Sequence, residues 1–190
     1  MEHTGLFAVI TGPAAVGKST VVRELLTRVP GSARLVTATT RSPREGEQDG
    51  VDYHFMSRGD FEKMRENGEL FEWAETYGNY YGTPLSELQK QLRLHRVVFA
   101  VLDPRGTHVA QSKFPEKTVT IFLVPDSIEQ LREWIITERG DSAKDEFNRR
   151  YKEADEELRL ASHFNHVVMN RKGKLAETVA EIRRIIQQYL

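Results

Sequence analysis

The chain of 190 residues has no cysteine, so disulfides and thiolate metal sites are excluded. It has no long apolar stretch either. The longest wholly apolar run, Val97 to Leu102, falls far short of the roughly 18–20 residues that cross a bilayer. Neither sign of charge is in excess: 27 Lys and Arg face 28 Asp and Glu, leaving −1. That balance argues against a protein that coats nucleic acid or an anionic membrane, and says nothing about a small anionic ligand. The start, Met1-Glu2-His3-Thr4-Gly5, has no cationic residue, and Leu6 to Ile10 is too short for a secretory signal. Repeats, low-complexity tracts and flexible linkers are also lacking. The expectation is a cytoplasmic protein of one domain, monomer or homodimer, with no nucleic-acid or membrane partner. A chain of this length can bury roughly 70% of the surface it exposes when unfolded.

Three apolar runs stand out. Leu6 to Thr11, bounded at once by Gly12-Pro13, reads as a strand buried on both faces of a parallel sheet. Val97 to Leu102 and Val119 to Val124 repeat the pattern, and Val167-Val168-Met169 is a shorter version. Between and after them, helical faces recur. Val21, Val22, Leu25, Leu26 and Val29 share one before Pro30-Gly31, Phe147 to Ala161 another, and Leu175, Val179, Ile182 and Ile186 a third. Asp126 with Glu129 is the expected capping pair of a further helix. The charge-dense stretch from Arg149 to Arg159 reads as a solvated helix face. Strands alternating with helices predict an α/β fold with a parallel sheet flanked by helices. Residues 37–83 differ in texture, being rich in Thr, Arg, Glu, Gly, Tyr and Asp, and a short helix from Ser57 or Asp60 ends at Gly68. They read as a lobe inserted between sheet strands.

Gly12-Pro13-Ala14-Ala15-Val16-Gly17-Lys18-Ser19, followed by Thr20, matches the eight-position P-loop pattern between a predicted strand and a predicted helix. In such a loop the backbone N–H groups curl inward onto phosphate oxygens, and the helix start adds its positive dipole end. Lys18 would reach the β and γ phosphates, and Ser19 would offer its hydroxyl to Mg²⁺. The loop points to a nucleoside triphosphate and leaves the acceptor open.

Thr39-Thr40-Arg41-Ser42-Pro43-Arg44-Glu45-Gly46-Glu47, Gly50-Val51-Asp52-Tyr53, Glu72-Trp73-Ala74-Glu75 and Gly78-Asn79-Tyr80-Tyr81-Gly82-Thr83 closely resemble the guanylate kinase family. Weaker similarity continues through Leu102 to Gly106, Arg139-Gly140, Arg150 and Asn170. The resemblance implies one P-loop kinase domain over 1–190. Its core would be 1–36, 87–130 and 160–190, with a GMP-binding lobe at 37–86 and a helical lid at 131–159. It implies ATP-dependent phosphorylation of GMP and dGMP, with Mg²⁺ accompanying ATP. The expected phosphate grip is Arg41, Arg44, Tyr53 and Tyr81, although the two arginines alone could be ordinary surface charges balanced by Glu45, Glu47, Asp49 and Asp52. Glu72 would read guanine, accepting from N1–H and the exocyclic amine, a match that adenine cannot make. Thr37 falls where the family carries a base-contacting serine. Thr83 would face the ligand, yet Thr83-Pro84 also fits a helix N-cap, and both readings stand. Trp73 is expected to pack rather than stack.

The implied reaction needs no general base, because the acceptor phosphate is already ionised near neutrality. Lys18, Arg41, Arg139 and Arg150 are the expected catalytic groups, the last two within the lid. Asp103 would contribute to the GMP site and hold Mg²⁺ through water, although Asp103-Pro104 could equally begin a turn. The chain departs from the family pattern at Val101 and Ile135, where acidic and arginine residues are usual, at Arg171-Lys172, and at Ala14-Ala15, which replace Ser-Gly. The alternatives are a kinase of this fold acting on another phosphate-bearing acceptor and a non-catalytic binding module.

Overall fold

The computed structural model describes residues 5–76, 78–127, 129, 130, 133, 152 and 154–190. Strand β1 (Leu6–Thr11) is buried throughout. Leu6, Ala8 and Ile10 enter one apolar cluster, and Phe7 and Val9 another on the opposite face. A strand covered on both faces has no polar side to show, hence the continuous apolar run. It pairs with β7 (Val97–Val101) on one side and β8 (Thr118–Pro125) on the other. The short β2 (Ser32–Arg34) and β9 (His166–Asn170) complete a parallel sheet in the order β2-β7-β1-β8-β9. One face is covered by α1 (Lys18–Arg28) and α5 (Leu175–Gln187), through Val21, Val22, Leu25, Val179, Ile182 and Ile186. The other is covered by α3 (Leu85–Leu94) and α4 (Pro104–Lys113), through Leu88 and Ala110.

From β1 the chain runs through α1 to β2, beyond β7, whereas β7 leads through α4 to β8 on the other side of β1. The carboxyl ends of β1 and β7 therefore border the crevice where connections diverge, the usual ligand position in open α/β sheets.

A second sheet lies between Thr37 and Pro84. It consists of β3 (Thr37–Thr39), β4 (Tyr53–Phe55), β5 (Leu70–Thr76) and β6 (Asn79–Pro84), ordered β4-β3-β6-β5. Its α2 (Arg58–Glu66) starts at the Ser57 cap, whose hydroxyl accepts from the Asp60 N–H, and buries Phe61 against Tyr80 with ring centroids 5.3 Å apart. Two expectations need correction. Pro104 does not stay in a turn: Asp103 caps α4 by accepting from the Gly106 N–H at 2.6 Å, with Pro104 in the first helical turn. The capping contacts after β8 are made one residue later than expected. The Gln130 N–H donates to Ser127 Oγ at 3.1 Å, and its side chain accepts from the Asp126 N–H at 3.0 Å.

Candidate active site

The turn after β1 can only be made by unusual backbone. Gly12 has φ 133°, and a Cβ there would lie 2.4 Å from the Leu123 carbonyl oxygen of β8. Gly17, at the cap of α1, has φ 89°. Ala15 is the only non-glycine with positive φ among the described residues, at 65°. The first turn of α1 holds no acidic residue, so its positive end is unopposed by a local carboxylate. Lys18 folds back over the loop, donating from Nζ to the carbonyls of Gly12 at 2.6 Å and Pro13 at 2.8 Å. Ser19 is exposed beside it, and Thr20 continues the helix.

A buried amide supports the loop from below. Asn170 Nδ2 donates to the Val16 carbonyl at 2.8 Å, and its Oδ1 accepts from the Thr178 hydroxyl of α5 at 3.0 Å. Its own carbonyl accepts from Gln130 Nε2 at 3.0 Å. No local sequence pattern marks Asn170 apart from the family resemblance.

The second sheet faces this loop across a cleft of about 190 Å³, lined by Gly12, Ala14 and Lys18 on one side and by Thr37, Tyr53, Glu72 and Tyr81 on the other. Val101, Leu102 and Asp103, at the end of β7, form its floor. The pleat of β5 turns alternate residues Glu72, Ala74 and Thr76 into the cleft. Phe71 joins the main core while Glu72 enters the cleft. Glu72 is 8% exposed, and its Oε1 accepts from the Thr83 hydroxyl at 2.6 Å. Burial pushes this carboxyl up to about 7, and nearby Asp103 adds to the effect, whereas the Thr83 hydrogen bond and Lys113 oppose it. Thr83 is therefore a partner of Glu72 at the end of β6. The alternative of a cap fails, because Pro84 occupies the cap position of α3 and no side chain bonds there.

Arg41 and Glu47 form a two-pronged ion pair, with both N···O distances 2.9 Å. The guanidinium lies 5.5 Å from the Tyr53 ring centroid and 5.7 Å from that of Phe55. Burial works against its charge, yet Glu47 and Tyr81 hold its pKa above the ordinary value. Glu47, despite burial, is held below its ordinary value by Arg41 and by the Arg44 N–H, which donates at 2.7 Å. The Nε of Arg41 is buried and makes no hydrogen bond among the described residues, a donor suited to an anion. Tyr53 and Tyr81 meet edge to face with centroids 6.1 Å apart, and burial keeps the Tyr53 phenol above its ordinary pKa.

Glu47, Asp49 and Asp52 are thus loop-organising groups rather than diffuse surface charge. Besides the Glu47 contacts, Asp49 accepts from the Phe55 N–H and Asp52 from the Gln48 N–H. Spacing alone could not single out Glu47 from its acidic neighbours. Arg44 is exposed and does not line the cleft. Trp73 is 45% exposed, outside the cleft lining, with Arg65 over its face at 5.1 Å. Arg139, Arg150 and Ile135 lie outside the described residues. Glu157, one charge among many on a charge-dense helix face and so unmarked by sequence, contributes to the cleft wall.

The family model described as "Guanylate kinase" matches residues 6–189. The chain is 41% identical over 182 residues to a guanylate kinase of Symbiobacterium thermophilum, covering 96% of this chain and 84% of that protein. It is 41% identical over 185 residues to one of Shouchella clausii, covering 97% and 88%. The crystal structure of guanylate kinase from Anaplasma phagocytophilum superimposes with a TM-score of 0.80 at 29% identity, covering 99% of this chain and 87% of that one. A shikimate kinase structure from Bacteroides thetaiotaomicron, at TM-score 0.54 and 10% identity, shares the fold alone.

Proposed function

The chain belongs to the guanylate kinase family, and from that premise we propose that it transfers the γ-phosphoryl group of ATP to GMP, giving ADP and GDP. The observation that carries the reading is the buried Glu72 carboxylate, which enters the same cleft as Lys18 and Gly12 of the phosphate loop. A carboxylate accepts both hydrogens on the Watson–Crick edge of guanine, and adenine would leave it unpaired, so discrimination of about 10⁴ or more is within reach. Thr83 braces that carboxylate, and Thr37 lines the same cleft. Tyr53 and Tyr81 in the cleft lining, and Arg41 beside Tyr53, are assigned to the acceptor phosphate, with Arg41 pre-set by Glu47; the exposed Arg44 lies outside the lining and would join them only by moving its side chain.

The acceptor phosphate is its own nucleophile, so catalysis rests on alignment and charge neutralisation. In this reading residues 12–20 bind the ATP phosphates, and Lys18 exchanges its carbonyl partners for phosphate oxygens. Arg139 and Arg150, in the 131–159 lid, complete the charge neutralisation and help exclude water. The residues present fit Mg²⁺: Ser19 and Asp103 are hard oxygen donors beside the phosphate loop and cleft, and this cation prefers phosphate and water to a full protein cage. Once bound, Mg²⁺ would neutralise charge on the ATP phosphates. No helix among the described residues is long and apolar enough to cross a membrane, and a cytoplasmic location fits a nucleotide kinase.

The test is ADP release from Mg-ATP with GMP, dGMP, AMP, UMP and ribose phosphates. Turnover confined to guanine acceptors is expected. Turnover with another acceptor, or tight GMP binding with none, would overturn the assignment.

A further inference from the structure

Gly106 sits inside the first turn of α4, where its backbone is ordinary. It is absent from the glycines with positive φ, so no left-handed geometry requires it there. Alanine is the better helix former at such a position, and local structure alone would favour it. The tertiary surroundings supply the reason for glycine. A Cβ on residue 106 would lie 2.7 Å from Glu72 Oε2, 3.1 Å from its carboxyl carbon and 3.2 Å from Asp103 Oδ1. The carboxylate of Glu72 thus rests directly on the bare backbone of α4.

We propose that Gly106 is a specificity-determining position: by lacking a side chain it sets the depth of the Glu72 carboxylate in the cleft, and through it the reading of the acceptor base. The inference rests on the assignment of Glu72 to guanine.

Two features make the carboxylate the part that must yield. The two nearest atoms a methyl group would meet, at 2.7 and 3.1 Å, belong to the end of the Glu72 side chain, whereas the strand behind it is fixed. Lys113, at the far end of α4, donates from Nζ to the Phe71 carbonyl at 2.6 Å, next to Glu72. Its ammonium also lies 4.8 Å from the Phe71 ring centroid. With β5 held in this way, Gly106→Ala is accommodated by swinging the carboxylate off its Thr83 partner and away from the plane it presents to a base. GMP and IMP separate this effect from general damage, because hypoxanthine keeps N1–H and lacks the exocyclic amine.

The test is a double-mutant cycle of Gly106→Ala and Glu72→Ala, with steady-state kinetics for GMP, IMP and ATP and thermal unfolding of each variant. Gly106→Ala is expected to raise the KM for GMP about tenfold and to narrow the preference for GMP over IMP by a similar factor. The KM for ATP should hold. In the Glu72→Ala background the same substitution should change the KM for GMP less than about twofold. An unchanged KM for GMP in Gly106→Ala, or an equal effect in both backgrounds, would overturn the proposal while leaving Glu72 as the base reader. A Glu72→Ala variant with an unchanged KM for GMP would overturn both. Should Gly106→Ala fail to fold, recovery of folding in the double variant supports the contact, and failure there too refutes it.

Discussion

Glu72, proposed to read the acceptor base, combines burial with an ionisable carboxyl. Its ordinary value is 4.5 and its folded value is about 7, so the folded chain binds this proton more tightly than the unfolded one. The stabilising contribution is complete below about pH 4.5 and is lost as pH rises through about 7, a difference on the order of 3 kcal/mol. Urea unfolding of wild type and Glu72→Gln at about pH 4.5 and about pH 8 should show the variant gaining on wild type by that order; a constant difference contradicts it. Ala15 carries the opposite kind of cost, in backbone rather than charge. Its left-handed φ of 65° costs roughly 1–2 kcal/mol, and glycine would give back about 0.4–1 kcal/mol through the unfolded state. Ala15→Gly is therefore expected to raise the unfolding free energy by up to about 1 kcal/mol, and destabilisation beyond about 0.5 kcal/mol would show that the loop is unstrained.

At the scale of elements, the phosphate loop is held by β9 and α5 as much as by β1. Asn170 joins the Val16 carbonyl, the Thr178 hydroxyl and Gln130 in one buried set of hydrogen bonds. Asn170→Leu removes the amide that donates to the Val16 carbonyl, costing about 1–3 kcal/mol, whereas the Thr178 hydroxyl keeps the Met169 carbonyl at 3.3 Å as an acceptor. The substitution is expected to raise the KM for ATP about tenfold with little change for GMP. Equal effects on both substrates would mark the network as general scaffolding. The strands of the second sheet show why that region gave so little pattern. β3 and β4 have three residues each, too short for alternation to register, and their small core of Ala38, Phe61 and Tyr80 draws on a strand, a helix and another strand. The long runs of β1, β7 and β8 were legible because burial on both faces imposes one composition at every position.

Over the whole molecule, the two sheets meet at one cleft, so either nucleotide should stabilise the fold by mass action. GMP at about 100 times its Kd contributes about 2.7 kcal/mol, or about 5–10 °C in Tm for a chain of this size. Calorimetry should show that shift in wild type and in Lys18→Ala. Its loss in Lys18→Ala would mean that GMP occupies the phosphate loop. The sequence by itself determined the glycine loop after β1, the parallel core and the family resemblance carried by the second sheet. Each is written in contiguous residues, through backbone freedom at glycine, two-sided burial and motif spacing. Only the tertiary structure decided which of several nearby carboxylates pairs with Arg41, that Thr83 serves Glu72 rather than α3, and why residue 106 has no side chain. Those facts depend on which atoms distant segments bring within a few ångströms, and no local pattern of residues encodes that distance.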